Sequence, residues 1–201
     1  GYCVGENGKI NKSTDGGLSW LEQDSETQEQ LNSVNFLNEN TGYTCGHNGV
    51  IMKTTNSGIE WPVLNSNTNA DLKSIYFIKE NTGVVCGENA ENSSALILRT
   101  TDSGENWLKV YNETETGGLT SLTFINELTG YICGKFGEIL KTTDSGISWI
   151  RNQISGDIFY SISFLDSMNG LVAGSEGVIY KTTDGGLNWN QVNTGFYKTL
   201  Y

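Results

Sequence analysis

Ser13-Thr-Asp-Gly-Gly-Leu-Ser-Trp20 returns four more times along the chain, at residues 54–61, 100–107, 142–149 and 182–189. The tryptophans that close the five copies, Trp20, Trp61, Trp107, Trp149 and Trp189, are all the tryptophans present, spaced 41, 46, 42 and 40 residues apart. A fixed period near 40 marks one supersecondary unit repeated along the chain. Residues 31–71 display the unit. Ser33-Val-Asn-Phe36 alternates in period two, Asn38-Glu-Asn-Thr-Gly42 is a turn, and Tyr43-Thr-Cys-Gly46 is a second short strand. A His47-Asn-Gly49 hairpin turn and the strand Val50-Ile-Met-Lys53 follow, then the Asp-containing phrase, with Trp61 opening a fourth strand. Four short antiparallel strands per repeat predict an all-β propeller blade. A solenoid also satisfies a period, although solenoid repeats are usually shorter or helical.

The composition agrees with strands and turns: 25 glycines, one proline (Pro62) and abundant Asn, Ser and Thr in 201 residues. We expect a single domain over 1–201, with repeats near 1–30, 31–71, 72–118, 119–158 and 159–199. Four copies carry the first strand and five carry the other three, so five repeats form the expected ring, with a segment of a larger ring as the alternative. Both ends fall within a repeat and read as those of a mature or excised piece.

No run of about 18 apolar residues exists, so no membrane span is expected. Twelve Lys and Arg against 23 Asp and Glu give a net charge of −11, which argues against nucleic acid as a partner. Five of those cations, Lys12, Lys53, Arg99, Lys141 and Lys181, precede the five phrases and belong to the repeat rather than to a basic patch.

The phrase reads Ser/Thr-x-Asp-x-Gly-x-x-Trp. A short carboxylate (Asp15, Asp102, Asp144, Asp184) accepts hydrogen bonds from backbone amides of its own turn, and the glycine permits a positive φ. The tryptophan fills the space between neighbouring sheets. Asn56 takes the acidic position in the second copy, which points to a structural rather than a catalytic role.

This pattern resembles the Asp-box, or bacterial neuraminidase repeat. The flanking Thr-Gly-Tyr-x-Cys-Gly and Ile-x-Lys-Thr-Thr-Asp segments resemble the photosystem II stability/assembly factor-like branch of Asp-box propellers. That resemblance covers essentially the whole chain and implies binding of another protein during assembly or display. The chain departs from the branch in arginine content. Only Arg99 and Arg151 are present, too few for the basic surface patch such factors carry, and this directs the expectation toward a secreted, periplasmic or cell-surface module of adhesin type. The family's sialidases hold their substrate carboxylate with three arginines, which excludes that activity here.

Candidate chemistry is sparse. Cys45, Cys86 and Cys133 occupy one repeat position, where Val4 and Ala173 stand in the other copies. Equivalent sites on adjacent sheets lie about 10 Å apart, beyond the roughly 7 Å limit for a bridge, so buried free thiols are expected and no disulfides among them. His47 is the lone histidine and reads as a turn residue. A glycoside hydrolase needs two carboxylates across a cleft, and none here has an unusual setting. Neither a metal nor another cofactor is expected.

Positions that break the repeat are the better functional candidates. Glu88-Asn-Ala-Glu-Asn-Ser-Ser-Ala95 enlarges one turn by five residues. The connections 22–30, 65–71, 112–118, 153–157 and 193–197 vary freely and share its face. We therefore expect a non-catalytic interaction module that meets another protein or a cell-surface glycan through His47, Glu88, Glu91, Lys135, Phe136 and Glu176. The alternative is a carbohydrate-binding domain or glycoside hydrolase of the Asp-box type.

Overall fold

The computed structural model describes residues 1–113, 116–195 and 197–200, so parts of the predicted connections 112–118 and 193–197 lie outside the described residues. Five antiparallel sheets follow one another in chain order. The first contains β1 (Tyr2–Val4), β2 (Ile10–Lys12) and β3 (Leu21–Gln23). The second contains β4 (Leu31–Phe36), β5 (Gly42–Gly46), β6 (Ile51–Thr54) and β7 (Val63–Leu64). The third is β8 (Asp71–Lys79), β9 (Thr82–Glu88), β10 (Ala95–Thr100) and β11 (Leu108–Tyr111). The fourth is β12 (Leu119–Phe124), β13 (Gly130–Gly134), β14 (Glu138–Thr142) and β15 (Ile150–Gln153). The fifth is β16 (Phe159–Phe164), β17 (Gly170–Gly174), β18 (Ile179–Thr182) and β19 (Asn190–Val192).

Each sheet is a meander, and the innermost strands β4, β8, β12 and β16 pack against one another in order, with β1 on β4. Each innermost strand carries a bulge in its pairing with the next strand, at Asn32, Lys73, Thr120 and Tyr160. A bulge adds twist and re-aims one side chain. Asn32 Nδ2 uses it to donate to the Leu72 carbonyl (2.8 Å), and Thr120 Oγ1 to the Phe159 carbonyl (2.7 Å), each reaching the next sheet.

One aromatic module joins the sheets. Tyr2 stacks on Phe36 (3.9 Å between centroids), Tyr43 on Phe77 (3.5 Å) and Tyr131 on Phe164 (3.9 Å). The box tryptophan of the second sheet in each pair meets that Phe edge-on, as in Trp61–Phe36, Trp107–Phe77 and Trp189–Phe164. At the remaining junction Trp149 meets Phe124 in the same way, with Val84 in the tyrosine position. Glycine is required beneath the phenylalanine: a Cβ on Gly130 would lie 2.7 Å from the Phe124 ring.

A polar latch lies beside the module. Tyr131 Oη and Lys141 Nζ both donate to the Gly185 carbonyl, at 2.8 and 2.7 Å. Tyr43 and Lys53 do the same to Ser103, Tyr2 and Lys12 to Ser57, while Arg99 Nε alone reaches Ser145. Four of the five repeated cations, Lys12, Lys53, Arg99 and Lys141, therefore hold the next sheet's box.

One expectation is corrected. Among the described residues no hydrogen bond, ion pair or ring contact joins the fifth sheet to the first, so the described sheets form an arc. Trp20 is consequently 44% exposed, having no preceding sheet to cover it, whereas Trp61 and Trp107 are 3% and 4% exposed. The wedge role thus holds for four tryptophans and not for the first.

Within each box the first hydroxyl donates to the carboxylate and accepts from the glycine amide, as Thr182 does with Asp184 (2.8 Å) and Gly186 (2.9 Å). The carboxylate then accepts the amide and side chain of the residue four positions on, here Asn188. The box glycines carry the required positive φ (Gly104, 90°). In the second box the polarity is exchanged: Asn56 Nδ2 donates to Glu60 Oε2 (3.1 Å), so the charge missing at Asn56 is supplied by its partner.

Cys45, Cys86 and Cys133 are buried and free, and burial pushes all three thiols up, Cys133 to about 12; Cys3 is exposed.

Trp149→Ala is expected to destabilise the fold by about 3–5 kcal/mol, read from a denaturant melt. The backbone amide of Asn188, followed by its side chain, lowers the Asp184 carboxyl to about 2. Hydrogen bonds from Ser19 and Asn106 likewise lower Asp15 and Asp102. Depressed carboxyls stabilise the fold above their unfolded value of about 3.9 and lose that contribution as pH falls through the folded value. The melting temperature is therefore expected to be flat above about pH 5 and to fall between about pH 4 and 2. Asp184→Asn is expected to weaken this acid dependence.

Candidate functional site

The turns between the second and third strands and the connections into the innermost strands meet on one face, opposite the boxes. The contacts are main-chain: Gly8 N–H to Glu29, Gly49 N–H to Ala70 and Gly137 N–H to Asp157 carbonyls, at 2.9, 2.7 and 2.6 Å. In four of the five sheets this turn is a single 3-10 turn with a left-handed residue at its centre, Asn7, Asn48, Phe136 or Glu176; the third sheet has the enlarged turn instead. Asparagine tolerates that conformation and a bulky aromatic does not. Phe136 is nevertheless held at φ 57° and is 56% exposed, so an apolar ring is presented to solvent on a strained backbone.

Three predicted residues come together in one charged chain that crosses three sheets. His47 Nδ1 lies 3.8 Å from Asp71, and Lys73 Nζ lies 3.7 Å from Asp71 and 3.8 Å from Glu88. Lys135 Nζ donates to Glu88 Oε2 at 2.6 Å. Only this last pair is within hydrogen-bonding distance. These side chains are 15–35% exposed, and long ion pairs of this kind contribute about 0–1 kcal/mol to stability.

Lys73 escaped the sequence reading, and Asp71 entered it only as the last residue of the connection 65–71. Lys73 is the bulge residue of β8, the position where Asn32 and Thr120 bridge to the next sheet. A lone charge at that position was the available signal. Phe136 adjoins Lys135, and its carbonyl accepts from Gln153 Nε2 (2.9 Å).

The remaining predicted residues stand apart. Glu91 lies in the enlarged turn, which is ordered by Asn92 Oδ1 capping Ser94 and by Asn89 Nδ2 bonding both Ser94 and Asn112. It borders a shallow polar cleft of about 280 Å³ with Thr68 and Lys109. Glu176 is on the fifth sheet beside a cleft of about 370 Å³ with Gln191 and Tyr197, away from the charged chain.

Glu138 is a further charged group under this face. It is fully buried at the start of β14 and paired through Oε1 to Arg151, with Oε2 lacking a hydrogen bond. Burial raises its carboxyl despite the Arg151 guanidinium. Among the described residues no group of three or more His, Cys, Asp and Glu is placed to hold a metal ion. No helix is long and apolar enough to cross a membrane.

An arc of Asp-box sheets, latched edge to edge and presenting charged turns on one face, defines the class as a β-propeller. The chain belongs to the family described as photosynthesis system II assembly factor YCF48, which matches residues 1–69 and 59–196. No curated protein matches the sequence. Among solved structures it is similar to YCF48 from Cyanidioschyzon merolae, with TM-score 0.71 and 16% identity over 98% of this chain and 70% of that one. It is also similar to a YCF48 bound to D1 peptide, with TM-score 0.53 and 17% identity over 94% and 76%. An ancestral GH74 enzyme aligns with TM-score 0.79 and 18% identity, over 98% of this chain but 30% of that one.

The family match corrects the expected secreted, periplasmic or cell-surface setting. The family is described by its part in assembling photosystem II, a complex of the photosynthetic membrane, and not by a cell-surface role. Scarcity of arginine was the wrong guide, because it bears on one surface feature and not on ancestry.

Phe136→Asn is expected to raise stability by on the order of 1 kcal/mol, by relieving left-handed strain. A urea titration with an unchanged slope and a higher midpoint would display it.

Proposed function

We propose that this protein is a non-catalytic assembly module whose turn face holds a segment of another polypeptide. The observation that carries the reading is the charged chain His47–Asp71–Lys73–Glu88–Lys135 beside the strained, exposed ring of Phe136. Such a face offers the three things a peptide needs: an apolar anchor, a cation and anions within one short span. Strain retained at Phe136 is what a recognition role would maintain and a purely structural turn would not.

Family membership and the D1 peptide held by a related YCF48 support a photosystem polypeptide as the partner. The likeness to the GH74 enzyme supports the shared fold alone, so a glycan-directed role has no separate observation behind it. In this reading Glu91 and Glu176 border accessory clefts, and the box residues Asp15, Asn56, Asp102, Asp144 and Asp184 serve the scaffold.

The test is titration of the chain with a D1 peptide by isothermal calorimetry. Saturable binding is expected, with Lys135→Glu and Phe136→Asn each weakening it at least about tenfold, or about 1.4 kcal/mol. Absence of binding, or affinity unchanged in both variants, would overturn the proposal.

A further inference from the structure

The turn that presents Phe136 departs from its counterparts at two neighbouring positions. Phe136 holds the left-handed centre, where Asn7, Asn48 and Glu176 stand in the first, second and fifth sheets. Two residues on, Glu138 follows the turn where Lys9, Val50 and Val178 stand. Val178 is buried, and Glu138 is buried completely. Its partner Arg151 has Gln191 as counterpart in the fifth sheet, facing Tyr180 as Arg151 faces Leu140. Taking a carboxylate out of water is costly, and apolar residues of similar volume often serve stability as well or better. Both departures thus work against the fold's own economy, and they fall in one turn.

The geometry ties the two together. The Glu138 amide donates to the Lys135 carbonyl and closes the turn around Phe136. The Glu138 side chain accepts from Arg151 Nε at 2.9 Å and from Nη2 of the same guanidinium. Arg151 is on β15, whose Gln153 pairs with Glu138 and donates through Nε2 to the Phe136 carbonyl (2.9 Å). On its other side the ring lies over Gly117, where a Cβ would come within 2.8 Å of Phe136 Cδ2. We propose that Glu138 and Arg151 are a positioning pair, which holds Phe136 in its exposed, left-handed pose for the partner polypeptide. This rests on the turn face being the recognition site. Glu138 lies beneath that face and acts through the backbone of the turn. A charge-assisted, directional bond fixes where β14 begins, which a valine cannot do. Strain at Phe136 persists only where its surroundings over-determine it, and the pair supplies that constraint.

The test gives the fourth sheet the residues of the fifth, in the double variant Glu138→Val with Arg151→Gln. Three quantities are read in it: the urea midpoint, hydrogen exchange at the Gly137 amide, and affinity for a D1 peptide. The midpoint is expected to hold or rise. Exchange at Gly137 is nevertheless expected to quicken at least about tenfold, because the turn opens locally. Affinity for the peptide is expected to fall about tenfold. Glu138→Gln, which keeps an acceptor for Arg151, is expected to retain most of the parent's protection and affinity. A midpoint that falls in step with faster exchange would make the pair ordinary scaffold and overturn the proposal. Unchanged exchange would also overturn it, as would faster exchange with undiminished affinity. A parent chain that binds no peptide overturns the functional reading instead, and the exchange result then decides the pair by itself.

Discussion

The stacked pair Tyr131–Phe164, closed edge-on by Trp189, is the contact on which the architecture depends. A four-stranded sheet this small cannot bury both of its faces, and its middle strand must be covered on each side. The stack provides the cover at three of the four junctions, and repetition gives each of the three inner sheets a neighbour on both faces. Aromatic pairs of this geometry contribute about 0.5–1.5 kcal/mol beyond their buried area. The lysine beside each tyrosine, as Lys141 at 5.4 Å from the Tyr131 centroid, adds a cation–π contact while its ammonium is held by the next box. Packing and polar latch therefore act on the same few residues.

With stability placed in the junctions and boxes, the opposite face is free to vary. Its turns are anchored by main-chain bonds such as that from Gly137 to Asp157, so their side chains contribute little to the fold. This explains how a charged chain of long ion pairs and a left-handed phenylalanine persist there. The same reasoning separates Glu138 from the face: a fully buried carboxylate needs its guanidinium, and Arg151 supplies it.

Much of the fold was legible because the box phrase couples local and tertiary requirements in eight residues. Its hydroxyl, carboxylate and glycine define a turn, and its tryptophan states what the turn must pack against. The period then gives sheet number and order. The exposure of Trp20 was less legible, since it depends on a missing neighbour and not on anything in its own copy. The compensation of Asn56 by Glu60 was visible in principle, as the one acidic residue at that box position coincides with the one amide. The turn face was half legible. His47, Glu88 and Lys135 stood out as residues that break the repeat, whereas Asp71 and Lys73 join them only because β8 bulges and turns its lysine along the chain. The scarcity of arginine misled about biological setting, because it describes one surface feature and the setting follows from descent.

A double-mutant cycle on Tyr131→Leu and Phe164→Leu, followed by denaturant melts, is the most direct test of the junction as the source of cohesion. If the two rings hold adjacent sheets together, the paired substitution costs less than the two single costs added, by a coupling of about 1 kcal/mol. Strict additivity would show that each ring contributes only its own burial, and would remove the stack from its central place.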